Sequence, residues 1–118
     1  MGLFSRKPKP QSVTFTPTGH SGDDQLLTIF GGTAGGFSAP RDWVHYIYCE
    51  TAEGAAAMEA KAIEAGWTTK RVFEGEGIVA SRDDLAVNDV TVPAVRIFFE
   101  ELAASVPGGD YDGWEAAA

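Results

Sequence analysis

Cysteine is nearly missing from this chain. Cys49 stands alone among 118 residues, which excludes an internal disulfide and any metal site built on several thiolates. A reducing cytoplasm suits such a sequence. Long apolar runs are missing too: no stretch approaches the ~20 residues that cross a bilayer, and the first residues lack the apolar core of a secretory signal, so export is not expected. Met1 to Arg6 has the outline of an acylation signal, but Arg6 stands where Ser or Thr is required. Histidine is limited to His20 and His45, too far apart for spacing to support a two-histidine metal pair, and neither forms an evident dyad with Cys49. No metal and no cofactor are expected. Basic residues are scarce as well. Arg6, Lys7 and Lys9 supply three of the nine, so residues 11 to 118 carry a formal charge of −11. A field of that sign repels phosphate backbones and favours basic or mixed-charge protein partners.

What the chain does have is one run of β-favouring residues, Trp43-Val-His-Tyr-Ile-Tyr-Cys49, read as a central strand. Trp43, His45, Ile47 and Cys49 fall on one side, Val44, Tyr46 and Tyr48 on the other. Large side chains on both sides mean that both faces are covered or used. Pro40 keeps Ala39 extended and marks the start, while Glu50 and Thr51 mark the end. With 44% hydrophobic and 22% charged residues, the chain has the size and composition of one soluble domain. That domain is expected at 21–118, after a flexible basic tail at 1–20 that cannot bury enough apolar area to offset ordering. Val13 and Phe15, alternating with Thr14 and Thr16, hint at a short edge strand.

Ser21 to Asp24 has the spacing of a capping box, and Leu26, Leu27 and Phe30 follow at helical intervals, predicting a short helix to Phe30. Gly31-Gly-Thr-Ala-Gly-Gly36 breaks it. That segment lacks the Gly-Lys-Ser/Thr of a P-loop and the Gly-x-Gly-x-x-Gly of a dinucleotide loop, so it reads as a flexible connector. Thr51 predicts the cap of a second helix. Ala52, Ala55, Ala62 and Ile63, flanked by Met58, form its apolar seam, and Gly66 is its stop. Glu59 falls inside that seam without an evident reason. Trp67–Phe73 and Ile78–Ser81 predict a hairpin turning through Glu74-Gly75-Glu76-Gly77. Val92, Val95, Phe99, Leu102 and Val106 then make a continuous stripe, with Phe98 and Ala103 at its margins. The stripe predicts a third helix, capped by Thr91 and stopped by Pro107. Ile97 points away from it. Asp110–Glu115 adds an edge strand. Together these elements make an α+β, ferredoxin-like βαββαβ sandwich: a four-stranded antiparallel sheet with two helices on one face, preceded by the short helix and the tail.

Chemistry is harder to find. Asp110-Tyr-Asp-Gly-Trp-Glu115 alternates carboxylates around a glycine, but no register places both the glycine and the final glutamate where a calcium loop needs them. Asp83, Asp84, Asp110, Asp112 and Glu115 have no nearby His, Lys or Ser in sequence to complete an acid–base constellation. His45 reads as a hydrogen-bonded core residue. Tyr46 and Tyr48 on a sheet face resemble an RNA-stacking platform, yet no basic patch accompanies them; a face for protein, or a dimer interface, fits the charge better.

Three stretches carry a resemblance. They are Pro40-Arg41-Asp42-Trp43-Val44-His45-Tyr46-Ile47-Tyr48, the Ala65-Gly66-Trp67 that closes the alanine-rich helix, and above all Gly108-Gly109-Asp110-Tyr111-Asp112-Gly113-Trp114-Glu115. They closely resemble the ribonuclease E inhibitors known as regulator of ribonuclease activity B. The resemblance implies a small, acidic, cytoplasmic, non-catalytic bacterial protein with a ferredoxin-like fold that binds ribonuclease E away from its catalytic centre and lowers its cleavage of transcripts. It also implies the site: Tyr111, Asp112, Gly113, Trp114 and Glu115 as motif positions and His45 as the matching strand histidine, with Tyr46 and Tyr48 beside it as partner-binding candidates. Two roles are open to Tyr111 and Trp114: anchoring the last strand to the sheet, or forming an aromatic hot spot for a basic segment of a partner. The alternatives to a ribonuclease inhibitor are a dimeric or ligand-binding domain of unrelated regulatory role and, third, an RNA-binding module.

Overall fold

A computed structural model describes residues 15–117. Its elements, in chain order, are α1 (Ser21–Gly31), β1 (Pro40–Cys49), α2 (Ala52–Glu64), β2 (Thr68–Arg71), β3 (Glu76–Ala86), α3 (Thr91–Ala104) and β4 (Asp110–Ala116). The strands form one antiparallel sheet in the order β2-β3-β1-β4. The α+β class and the four antiparallel strands are as the sequence predicts. The basic residues 6, 7 and 9, and Val13 and Thr14 of the suggested edge strand, lie outside the described residues. Phe15 and Thr16 are not in a strand; Phe15 sits edge-on to Phe37 at 6.0 Å.

Strand β1 is central, paired with β3 on one side and β4 on the other, and its inward side chains are buried from Arg41 to Ile47. Arg41, Trp43, His45 and Ile47 alternate inward and are buried, while Val44 and Tyr46 are half-buried and Tyr48 is exposed on the other side. The inner side meets Met58, Ala55 and Ala62 of α2, Phe99, Val92 and Leu102 of α3, and Leu27 and Phe30 of α1 in a single core. Among the described residues no helix packs on the outer side. Strand β3 is longer than the hairpin signal suggests. It runs on through Arg82–Ala86 because β1 begins at Pro40, which supplies partners as far as Pro40 opposite Ala86.

Helix ends follow side-chain chemistry, with corrections. The cap of α1 is His20, not Ser21: its Nδ1 accepts the Asp23 N–H at 3.2 Å, and Asp24 turns back to accept from the N–H and hydroxyl of Thr18 at 3.0 and 2.8 Å. Thr51 caps α2 as predicted, accepting the Gly54 N–H at 2.9 Å. At the other end of α2, Gly66 takes a φ of +99° and the Trp67 N–H reaches the Ala62 carbonyl at 2.9 Å, the left-handed stop that glycine permits. The seam of α2 is Gly54, Ala55, Met58 and Ala62; Ala52 and Ile63 are exposed, because Met58 sits at the centre of the buried stripe and they lie past its edges. Thr91 is the first residue of α3 rather than its cap. Asn88 does the capping, its Oδ1 accepting the N–H groups of Val90 and Thr91 at 2.9 and 3.0 Å. Glu59 also finds its reason: it accepts from Arg71 Nε at 2.9 Å and from the Thr69 hydroxyl at 3.2 Å, tying α2 to the edge strand β2.

The glycine segment after α1 is folded around a cation. Nη2 of the buried Arg41 donates to the Thr33 hydroxyl and the Gly36 carbonyl, both at 2.9 Å, and to the Ala34 carbonyl at 3.3 Å. Its guanidinium lies over the Phe30 ring at 5.0 Å. The connector is pinned, which the run of glycines alone does not reveal.

Candidate functional site

Tyr111 and Trp114 are three positions apart, and in a regular strand they would face opposite sides of the sheet. They face the same side here. His45 pairs with Trp114 and Ile47 with Tyr111, so Asp112 and Gly113 both stand opposite Tyr46: a bulge with one extra residue. Gly113 has a φ of +103°, a conformation that side-chain-bearing residues rarely take. The Asp-Gly pair thus acts as a device that turns both aromatic rings inward.

Inside, the two rings close a cage around His45. The imidazole is fully buried and stacks on Phe99 at 4.4 Å, with Trp67 at 4.9 Å, Trp43 at 5.1 Å and Tyr111 at 5.8 Å. Nδ1 shares a 2.7 Å hydrogen bond with the Tyr111 hydroxyl, and Nε2 has no partner. Burial, helped by the charge of Arg96, pushes the ring pKa down from 6.5 to about 3, so it is neutral. In a neutral ring one nitrogen accepts. With the Tyr111 hydroxyl donating to Nδ1, the proton is carried by Nε2 and no lone pair is left buried without a donor. Desolvation also raises the Tyr111 phenol well above its usual range, keeping the O–H available to donate.

A second polar group lies at the rim of the cage. Asp23 of α1, 2% exposed, accepts the Trp114 Nε1–H at 2.8 Å and two bonds from Arg96, at 2.6 Å from Nε and 2.9 Å from Nη2. Arg96 spans the Tyr111 ring at 4.9 Å and reaches Glu100 at 3.3 Å. Burial alone would raise the Asp23 pKa, but the hydrogen bonds from Arg96 and Trp114 and the guanidinium charge outweigh it and hold the carboxyl below the usual aspartate range. Trp114 also stacks on Phe30 of α1 at 6.2 Å.

The outer side of the same strands is different in kind. Val44, Tyr46, Tyr48 and Val79 form the floor of an open groove of about 580 Å³, with Lys70 on the β2 side and Phe73 at the hairpin tip. Phe73 is 99% exposed. The Tyr46 hydroxyl donates to Glu115 Oε1 at 2.6 Å, a bond that raises the phenol pKa. Exposed Asp110, Asp112 and Glu115 follow one another along β4. The eight residues singled out from sequence therefore divide. His45, Tyr111 and Trp114 come together in the interior, Gly113 makes the bulge, and Tyr46, Tyr48, Asp112 and Glu115 border the open side. Among the described residues no group of three His, Cys, Asp or Glu is placed to hold a metal ion, and no helix is long and apolar enough to cross a membrane.

Comparison with family models supplies the match. The model described as regulator of ribonuclease activity B covers residues 33–116, from the glycine segment to the end of β4. The chain belongs to the regulator of ribonuclease activity B family. No curated protein matches it. The region matched to this regulator family begins after α1, so Asp23 and Phe30, which contact Trp114, precede the match. Arg41, Arg96 and Asp23 are residues the sequence did not single out. Nothing in a lone Arg or Asp signals burial, and Asp23 and Arg96 meet only through the packing of α1 on α3. The one available hint was Asp23 itself, an acid in the first turn of a short helix.

Proposed function

We propose that this chain is a cytoplasmic, non-enzymatic regulator of RNA turnover that acts by binding a ribonuclease, with ribonuclease E as the partner. The family match carries the proposal, since residues 33–116 take in every strand of the sheet and the whole Tyr-Asp-Gly-Trp motif. Taken with α2 and α3 on one face, the order β2-β3-β1-β4 is the one a ferredoxin-like fold requires, and we assign the chain to it. The geometry supports a division of labour among the motif residues. His45, Tyr111, Gly113 and Trp114 build and aim β4. Tyr46, Tyr48, Asp112 and Glu115, which that strand and its neighbour present outward, are the residues for partner contact. An acidic exterior suits a protein partner with basic segments and opposes direct contact with RNA.

The test is a pull-down from host lysate with the purified chain as bait, after nuclease treatment, with the bound proteins identified by mass spectrometry. Recovery of ribonuclease E without RNA as a bridge is the expected result. Reproducible recovery of an unrelated protein in its place, or of none, would remove the inhibitor role and leave the family fold.

A further inference from the structure

The open side of the sheet combines three properties that together specify an occupant. Its floor is apolar and aromatic, with Val44, Tyr46, Tyr48 and Val79 in adjoining rows of β1 and β3. Its β4 margin is acidic, with Asp110, Asp112 and Glu115 on the strand and Asp42 joining Glu115 at one end. Its β2 margin carries two exposed cations, Lys70 and Arg71, of which Arg71 is already paired with Glu59 and Glu76 at 2.9 and 4.0 Å and Lys70 is the one left for a ligand. Four strands at ~4.8 Å spacing make a floor roughly 14 Å wide.

Resting on the regulator reading above, we infer that this face is where the ribonuclease docks, and that it takes an extended basic segment of that partner. Lys or Arg side chains of the segment meet Asp112 and Glu115, and its apolar side chains lie over Tyr46, Tyr48 and Val79. Charge selects this occupant over the others. A phosphate chain would meet the acidic margin, and a second copy would set mostly acid against acid with one Lys70 from each side in return. At the β4 edge the segment lies on the face and does not add a strand, because the Asp112-Gly113 bulge and the carboxylates of β4 break the ladder that strand addition needs there. Tyr46 is held in place by Glu115, so its ring is ordered before the partner arrives and less freedom is lost on binding.

Two probes test this. The first is a fluorescein-labelled peptide alternating Arg with Leu and Tyr, followed by fluorescence anisotropy against the full chain. The second is purified ribonuclease E in a co-sedimentation assay. Asp112→Lys combined with Glu115→Lys is compared with Glu53→Lys combined with Glu64→Lys on α2, which changes net charge equally but away from the sheet. All four positions are exposed, so both variants are expected to fold, as circular dichroism will verify. The β4 variant is expected to weaken peptide binding by about tenfold or more and the α2 variant by less than about threefold, as local pairs outweigh a screened general field. Tyr48→Ala should also weaken it, with little response to salt. Equal losses in the two charge variants would overturn the inference. So would tighter binding of a labelled single-stranded RNA than of the peptide, or dimerisation of the chain alone that the β4 variant abolishes. Should the β4 variant hold ribonuclease E as well as the wild type does, the surface assignment fails while the regulator reading stands. Loss of nuclease binding by wild type and variants alike, with peptide binding still confined to the face, would instead sink the regulator reading.

Discussion

Replacing His45 with Phe tests the claim that a neutral imidazole is sealed inside the aromatic cage. The folded-state pKa is about 3 against 6.5 for the free side chain. Between those values the unfolded chain holds one more proton than the folded one, so stability rises with pH across the window and falls as pH drops through it. One proton corresponds to about 1.4 kcal/mol per pH unit. From pH 7 to pH 5, a group that begins to titrate in the unfolded chain at 6.5 and stays neutral in the fold costs about 2 kcal/mol. The phenylalanine variant keeps the ring against Phe99 and Trp67 but leaves the Tyr111 hydroxyl without its 2.7 Å partner, a loss of about 1 kcal/mol at pH 7. Urea unfolding of both proteins at pH 7 and pH 5 reads both effects. The wild type should lose about 2 kcal/mol on acidification and the variant less than half of that. The same acid loss in both proteins would show that His45 is not the group responsible and that the cage is open to water.

Removing the Asp23 carboxylate as Asp23→Ala leaves Arg96 with only Glu100 and the Trp114 N–H with no acceptor, and should cost about 3 kcal/mol, the low end for a broken buried pair. Because the Asp23 pKa is depressed, that contribution is present above the ordinary aspartate range and lost as pH falls below it; a variant cost as large at pH 2.5 as at pH 7 would contradict the pairing. Gly113→Val forces a branched side chain to a φ of +103° and should destabilise by about 2 kcal/mol. Its tryptophan emission should shift to the red as Trp114 turns outward, and an unshifted spectrum at normal stability would show that the bulge does not aim the ring. Arg41→Lys keeps the charge but loses the fork that holds Thr33, Ala34 and Gly36, at about 1–2 kcal/mol. Hydrogen exchange at the Gly31–Gly36 amides should quicken, and unchanged exchange would separate the loop from Arg41.

Much of the architecture is legible in the sequence because it rests on period and punctuation. The β-favouring run of β1, Thr51 before α2 and Gly66 after it are all local signals that hold in the structure, as does the α3 stripe from Val92 through Leu102. Val106, counted in that stripe, lies past the end of the helix at Ala104. What escaped is non-local. The glycines before Arg41 read as a flexible connector, because their bond to its guanidinium depends on a fold that brings a loop back over its own strand. Ile63 was placed in the α2 seam on apolarity alone, while Met58 fixed the phase of the helix. Tyr111 and Trp114 were identified as important from their motif, but their shared side of the sheet follows from one extra residue opposite Tyr46, which no periodicity shows. Asp23 was read as part of a capping turn; its partners are Arg96 and Trp114, 73 and 91 positions away.

The central claim is that this chain restrains a ribonuclease by binding it, and a cleavage assay with purified components tests it most directly. Ribonuclease E is mixed with a labelled transcript and rising amounts of the chain, and the rate of cleavage is followed. Cleavage should slow in step with complex formation and level off once the nuclease is saturated, with the Asp112→Lys, Glu115→Lys protein needed at higher concentration for the same effect. A cleavage rate that stays constant while the chain is in large excess, with no complex detected, would contradict the account.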